Sequence, residues 1–205
     1  RQMIAQEAAR LMYEEGVGEY RDAKRKAARR FGSEKALGLG SHLPSNAEIH
    51  NELFRLLEMH EEKVLPERLF RMRIMALQYM ELFAPFAPYL IGSVLSGVVT
   101  ERSDIDLHLF ADSTEEVEEH LRIRQIPYDF ELVTIRKGGD FIEYPHIYLE
   151  EDGVVIECTV YSCSERHRIP KSSITGRGID RASTKRLKKI IEGMTSPPKS
   201  GKVPS

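Results

Sequence analysis

The sequence predicts an α+β fold, a mixed β-sheet with flanking helices, preceded by a helical N-terminal segment. Two observations predict it. Up to residue 84 the apolar residues recur at three- and four-residue spacing, the period of an amphipathic helix. From residue 88 the texture changes to short β-branched and aromatic runs, punctuated by turn residues and alternating with short helical patterns. The chain thus divides into a helical segment over 1–84, an α/β core over 85–165, a basic loop and helix over 166–195, and a disordered tail over 196–205.

Residues 3–30 read as one or two amphipathic helices, with Met3, Ile4, Ala8, Leu11 and Met12 at helical spacing and Gly16 and Gly18 as the interruption. The second half ends in a run of Lys and Arg before Phe31-Gly32, which suits a helix C-terminus. That run lacks interleaved aromatics and reads as a solvated face. Residues 38–44 form a loop, and Ser45-Asn46-Ala47-Glu48 is a capping box that opens a helix carrying Ile49, Leu53, Leu56 and Leu57. Pro66 begins the next helix, through Leu82, with Pro85 and Pro88 stopping it.

Beyond that point strands are expected at 89–91, 104–110, 128–135, 146–150 and 154–161. A short helix falls at 94–99, a longer one runs from Ser113 to about Arg124, and residues 137–140 form a loop. Asp152-Gly153 is a hairpin signal between the last two strands. A final helix covers about 181–192.

Composition narrows the classes. No apolar run approaches the roughly 18 residues of a membrane span, and nothing at the N-terminus reads as a signal peptide. Cys158 and Cys163 are read as free thiols in a reducing cytoplasm. No P-loop is present, which argues against a Walker-type ATPase. Charge is uneven: residues 166–205 hold 11 Lys and Arg against Asp180 and Glu192, while the whole chain carries −2. A basic end beside an acidic body either steers a nucleotide or RNA or folds back as a salt-bridging helix, the second being favoured.

One stretch states a chemistry. Ile91-Gly92-Ser93 is followed, after a ten-residue spacer, by Asp104-Ile105-Asp106-Leu107. On a strand, period-2 geometry places Asp104 and Asp106 on one face and Ile105 on the other. Paired carboxylates suit a hard divalent cation such as Mg²⁺, and a Gly-Ser turn offers backbone N–H groups to a phosphate.

This pattern resembles the nucleotidyltransferase superfamily, the DNA polymerase β-like group, over roughly residues 85–165. The resemblance implies a nucleotidyltransferase-like sheet and an enzyme that moves a nucleoside monophosphate from a nucleoside triphosphate to an unknown hydroxyl acceptor, releasing pyrophosphate. It also implies two Mg²⁺ ions, or Mn²⁺ in their place, held by Asp104, Asp106 and a third carboxylate, with Gly92 and Ser93 on the β- and γ-phosphates. Glu157, on the most apolar strand, is the favoured third acid, because a charge there is costly unless paired; Glu131 is the alternative. The chain departs from the antibiotic-modifying and minimal members in lacking an Arg-rich turn after Ser93, where it has Val94-Leu95-Ser96-Gly97. Arg102, Arg136, Lys137 or the basic segment would have to replace it. His108 shares the strand face of Asp106. Two other readings stand beside the enzyme: a catalytically silent module that binds nucleotide or RNA as a regulator, and a helical interaction protein in which the α/β part is scaffold. Acceptor, base preference and oligomeric state are not encoded in any motif.

Overall fold

The computed structural model describes residues 1–32, 43–62, 64–137, 140–172 and 174–195. Most of the loop expected at 38–44, the centre of the loop at 137–140 and the whole tail lie outside the described residues. The fold is α+β, with a helical N-terminal segment and a six-stranded mixed sheet.

The first three helices are α1 (Gln2–Glu14), α2 (Tyr20–Arg30) and α3 (Asn46–His60). They pack through Ala8, Ala9 and Leu11 of α1, Ala23 and Ala27 of α2, and Ile49, Leu53 and Leu57 of α3, all buried. Alanines at the crossing let the helix axes approach closely. The capping box is formed: the Ser45 hydroxyl accepts from the Glu48 N–H, and the Glu48 carboxylate accepts from the Ser45 N–H at 2.7 Å.

Helix α4 (Val64–Leu82) starts two residues earlier than Pro66. Pro66 sits in the first turn, where its missing N–H would have had no partner. After a 3₁₀ turn at Ala84–Phe86 come β1 (Tyr89–Ile91), α5 (Gly92–Ser96), β2 (Ile105–Ala111), α6 (Thr114–Ile123), β3 (Asp129–Lys137), β4 (Asp140–Glu151), β5 (Val154–Ser162), β6 (Ala182–Ser183) and α7 (Thr184–Thr195). Three differences from the expectation matter. The short helix begins at Gly92 rather than at 94, so the turn is itself the helix start. Strand β4 begins at Asp140, its first half up to Pro145 pairing with β3 alone. The two-residue β6 has no sequence signal and exists through its pairing with β1.

The strand order is β3-β4-β5-β2-β1-β6. Neighbours are antiparallel except β2 and β5, which run parallel. A parallel pair needs a crossover, here made by α6 and the β3–β4 hairpin. The β4–β5 hairpin turns on Asp152 and Gly153, with φ of 51° and 75°, the left-handed pair of a type I′ turn. Helices α4 and α7 pack on each other and on the strands around β1 and β2. Their cover buries Ile105, Leu107, Leu109, Leu90, Ile156 and Cys158. The C-terminal basic segment folds back, burying Ala182, Leu187 and Ile191 in the core and pairing Lys188 with Glu81 at 2.7 Å. Cys158 is buried and Cys163 exposed, both free. Among the described residues no helix is long and apolar enough to cross a membrane.

Candidate active site

Three strands bring the sequence motif together. Along β2, Ile105, Leu107 and Leu109 enter the core, so Asp106, His108 and Phe110 share the opposite face. Asp104 sits one residue before the strand and is exposed at its mouth. The antiparallel register aligns Ile91 of β1 with Asp106, which delivers the following turn beside that carboxylate. Gly92 has φ +72°, and a Cβ there would stand 2.1 Å from Asp106 Oδ2. Only glycine tolerates both the dihedral and the approach. On the other side, the parallel register sets Glu157 of β5 directly against Asp106. Glu131 lies on the edge strand β3, with β4 and β5 between it and β2. Of the two candidate third acids, Glu157 is the one adjacent to the pair.

The turn is held from behind. Arg73 of α4 is buried; its Nε donates to the Val94 carbonyl and its Nη2 to the Leu95 carbonyl, both at 3.0 Å. The cation thus meets the unpaired carbonyls of α5, where a positive charge is favoured. Burial lowers the Arg73 pKa.

The electrostatics are those of crowded acids. Burial pushes the Asp106 carboxyl up to about 7, with Glu157, Asp104 and Glu19 adding to the rise and His146 opposing it. Asp104 is also raised, by burial and then by Glu157. Like charges on neighbouring strands favour protonation unless a cation joins them. Among the described residues no group of three or more His, Cys, Asp or Glu side chains is gathered into a metal-binding cluster. The donor chemistry nevertheless fits a hard divalent ion: three oxygen-only side chains, Asp106 and Glu157 in register and Asp104 just before the strand, two of them with raised pKa values that a cation would reverse.

Behind the acids runs a row of which the sequence marked only His108. His146 of β4 is buried, and its Nδ1 lies 2.8 Å from Glu157 Oε1. Thr159 Oγ1 is 3.4 Å from His146 Nε2. Further along the same face His108 stacks edge-on to Tyr161, and burial depresses its pKa to about 4, Arg181 and His146 adding to the effect. No spacing rule links residues 146 and 157, because the contact is diagonal across a hairpin.

The acids open into a cleft of about 720 Å³, within the range of small-ligand sites. One wall carries Gly92, Ser93, Asp104, Asp106 and Glu157; the facing wall comes from the helical segment, with Tyr20, His50 and Asn51. The Tyr20 hydroxyl and His50 Nδ1 are 2.8 Å apart. Burial raises Tyr20 to about 12 and lowers His50. Arg102, one of the cations considered for phosphate, lines the same cleft and donates to the Glu15 carbonyl at 3.0 Å, crossing over Gly16. Ser172 and the stretch 174–180 line a third side, through Thr175 and Asp180 among others. The side chains of Arg136 and Lys137 lie outside the described residues.

No protein-family profile matches the chain, and no curated protein sequence does. Among solved structures the chain is similar to the Cid1 poly(U) polymerase in its MgGTP-bound form, at 21% identity over 46% of this chain and 32% of that one, with a TM-score of 0.28. It is also similar to a cytoplasmic RNA terminal U-transferase, at 21% identity over 57% of this chain and 34% of that one, with a TM-score of 0.24. The chain spans about a third of the length of these two proteins.

Proposed function

We propose that the chain is a metal-dependent nucleotidyltransferase that moves a nucleoside monophosphate from a nucleoside triphosphate to a hydroxyl acceptor, with release of pyrophosphate. The observation that carries the reading is the meeting of Gly92, Asp106 and Glu157: a glycine turn packed against a carboxylate, itself in register with a second carboxylate. Asp104, Asp106 and Glu157 are the residues that would hold Mg²⁺ or Mn²⁺. When bound, the metal supplies Lewis-acid stabilisation of charge on the phosphates and a lowered pKa for the acceptor hydroxyl.

The chain's own groups do the rest. The backbone N–H groups at Gly92 and Ser93, with the Ser93 hydroxyl, orient the β- and γ-phosphates. Arg73 fixes that turn from the far side by holding the Val94 and Leu95 carbonyls. Glu157 would sit nearest the acceptor, and Tyr20, His50 and Asn51 line the cleft opposite the acids. The stretch 174–180 lines the cleft and would bring the basic segment beside an RNA or nucleotide.

Pyrophosphate release from ATP, GTP, CTP and UTP, with and without Mg²⁺, tests the reading. Metal-dependent release is expected, and Asp104→Asn or Asp106→Asn should lower it by at least 100-fold, on the order of other electrostatic site losses, with folding retained. An unchanged rate in either variant removes the assignment. Nucleotide binding without turnover in the wild-type chain would instead favour the regulatory module.

A further inference from the structure

We infer that His146 is a positioning residue, holding Glu157 so that one carboxylate oxygen is presented to the metal site; this rests on Glu157 being the third carboxylate. Glu157 has one more side-chain torsion than Asp104 or Asp106, and a free glutamate on a strand samples several rotamers. An outer partner that fixes one oxygen removes that freedom, as hydrogen-bonded ligands at metal sites show.

The geometry supplies such a partner. His146 stands opposite Thr159 in the β4–β5 register, which makes it the diagonal neighbour of Glu157. Its side chain is 8% exposed, against 29% for Glu157, so the histidine is the fixed member and the glutamate the one that reaches the cleft. With the proton on Nδ1, the ring donates to Glu157 Oε1 at 2.8 Å, and Nε2 accepts from the Thr159 hydroxyl at 3.4 Å. Both ring nitrogens are then used. Oε1 is committed to the histidine, and Oε2 is the oxygen left for the site. Tyr148, paired with Glu157 across the same hairpin, sets its hydroxyl 3.4 Å from the same Nδ1, a longer contact than the one to Glu157, with the two aromatic centroids 6.1 Å apart. Nothing in this arrangement requires His146 to touch substrate or change protonation.

The test uses the full chain and three variants, His146→Val, His146→Asn and His146→Gln, with Glu157→Gln as reference. The Asn amide nitrogen falls near the place of Nδ1 and the Gln amide nitrogen nearer that of Nε2, so only Asn restores the donor to Glu157. Mn²⁺ binding to the nucleotide-free protein is followed by electron paramagnetic resonance, and thermal melting reports folding. His146→Val should weaken Mn²⁺ binding by about 10-fold, at the lower end of losses for outer partners. His146→Asn should recover to within about threefold of wild type while His146→Gln does not. In turnover, the Mg²⁺ concentration for half-maximal rate should move with Mn²⁺ affinity while KM for the nucleotide stays within about twofold. Wild-type Mn²⁺ binding in His146→Val, or equal weakening in Asn and Gln, overturns the inference. Wild-type Mn²⁺ binding in Glu157→Gln overturns instead the underlying assignment of the third carboxylate.

Discussion

Asp106 sets folding against chemistry. Its carboxyl ionises near 7 in the fold against 3.8 in the open chain, so between those values the native state keeps a proton that the unfolded chain has lost. Stability of the metal-free protein therefore falls as pH rises from about 4 to 7. His108 works in the other sense. Depressed from 6.5 to about 4, it stays neutral in the fold while the unfolded imidazole takes up a proton, so its contribution rises with pH across 4 to 6.5 and is complete above that. The two slopes oppose each other in the wild type. Asp106→Asn removes the first, and should stabilise the metal-free chain by on the order of 1–3 kcal/mol at pH 8 and by little at pH 4, measured by urea unfolding. An equal gain at both pH values would show that the burden on Asp106 is not ionisation. At this scale the sequence was informative where chemistry follows spacing: Asp104, Asp106 and Gly92 could be named from a short motif. Tyr20–His50, Arg73 and His146 could not, because each meets its partner across a tertiary contact with no fixed offset.

Elements were legible wherever local chemistry chose them. Ser45 and Glu48 announce α3, and Asp152-Gly153 announces the β4–β5 hairpin; both work as written in the chain. Ser45→Ala should cost about 1 kcal/mol through loss of the cap, read as a lowered melting temperature with no change in Mn²⁺ binding. Gly92→Ala belongs to another class. The added methyl meets Asp106 Oδ2 in a left-handed backbone, so the turn and the carboxylate must separate; the expected result is loss of both turnover and Mn²⁺ affinity, and preserved Mn²⁺ affinity would contradict the close approach. What sequence did not place were boundaries owned by neighbours. Strand β6 exists only against β1, the first half of β4 only against β3, and α5 starts at Gly92 because β1 ends there.

Across the whole molecule, the N-terminal helices and the sheet share one cleft. The spacer between β1 and β2 is tied to α1 by Arg102 on the Glu15 carbonyl and to α4 by Glu101 facing Arg68 at 3.5 Å. The segment that connects the Gly92-Ser93 turn to the carboxylates is thereby held by two helices. The C-terminal segment, expected from its charge to fold back as a salt-bridging helix, does fold back, with Lys188 on Glu81 and its apolar residues in the core; a charge tally does not register Leu187 and Ile191 on one helix side. Leu187→Ala should cost about 2–5 kcal/mol and weaken the cover over β1, seen as a drop in urea midpoint. A cost below 1 kcal/mol would mean that α7 is dispensable to the core.

The single parallel seam has a kinetic consequence. Strands β2 and β5 meet only after the chain between Ala111 and Val154 has closed through α6 and the strands β3 and β4, and non-local pairings of this kind are slow to form. The same seam brings Asp106 against Glu157. The step that completes the sheet is thus also the step that forces two carboxylates together, and a divalent ion or a proton would act as a folding catalyst for its own site. Refolding at pH 8 should quicken in Asp106→Asn with unfolding little changed, as stopped-flow fluorescence would record. Zipping the sheet and assembling the acidic cluster would then be one event.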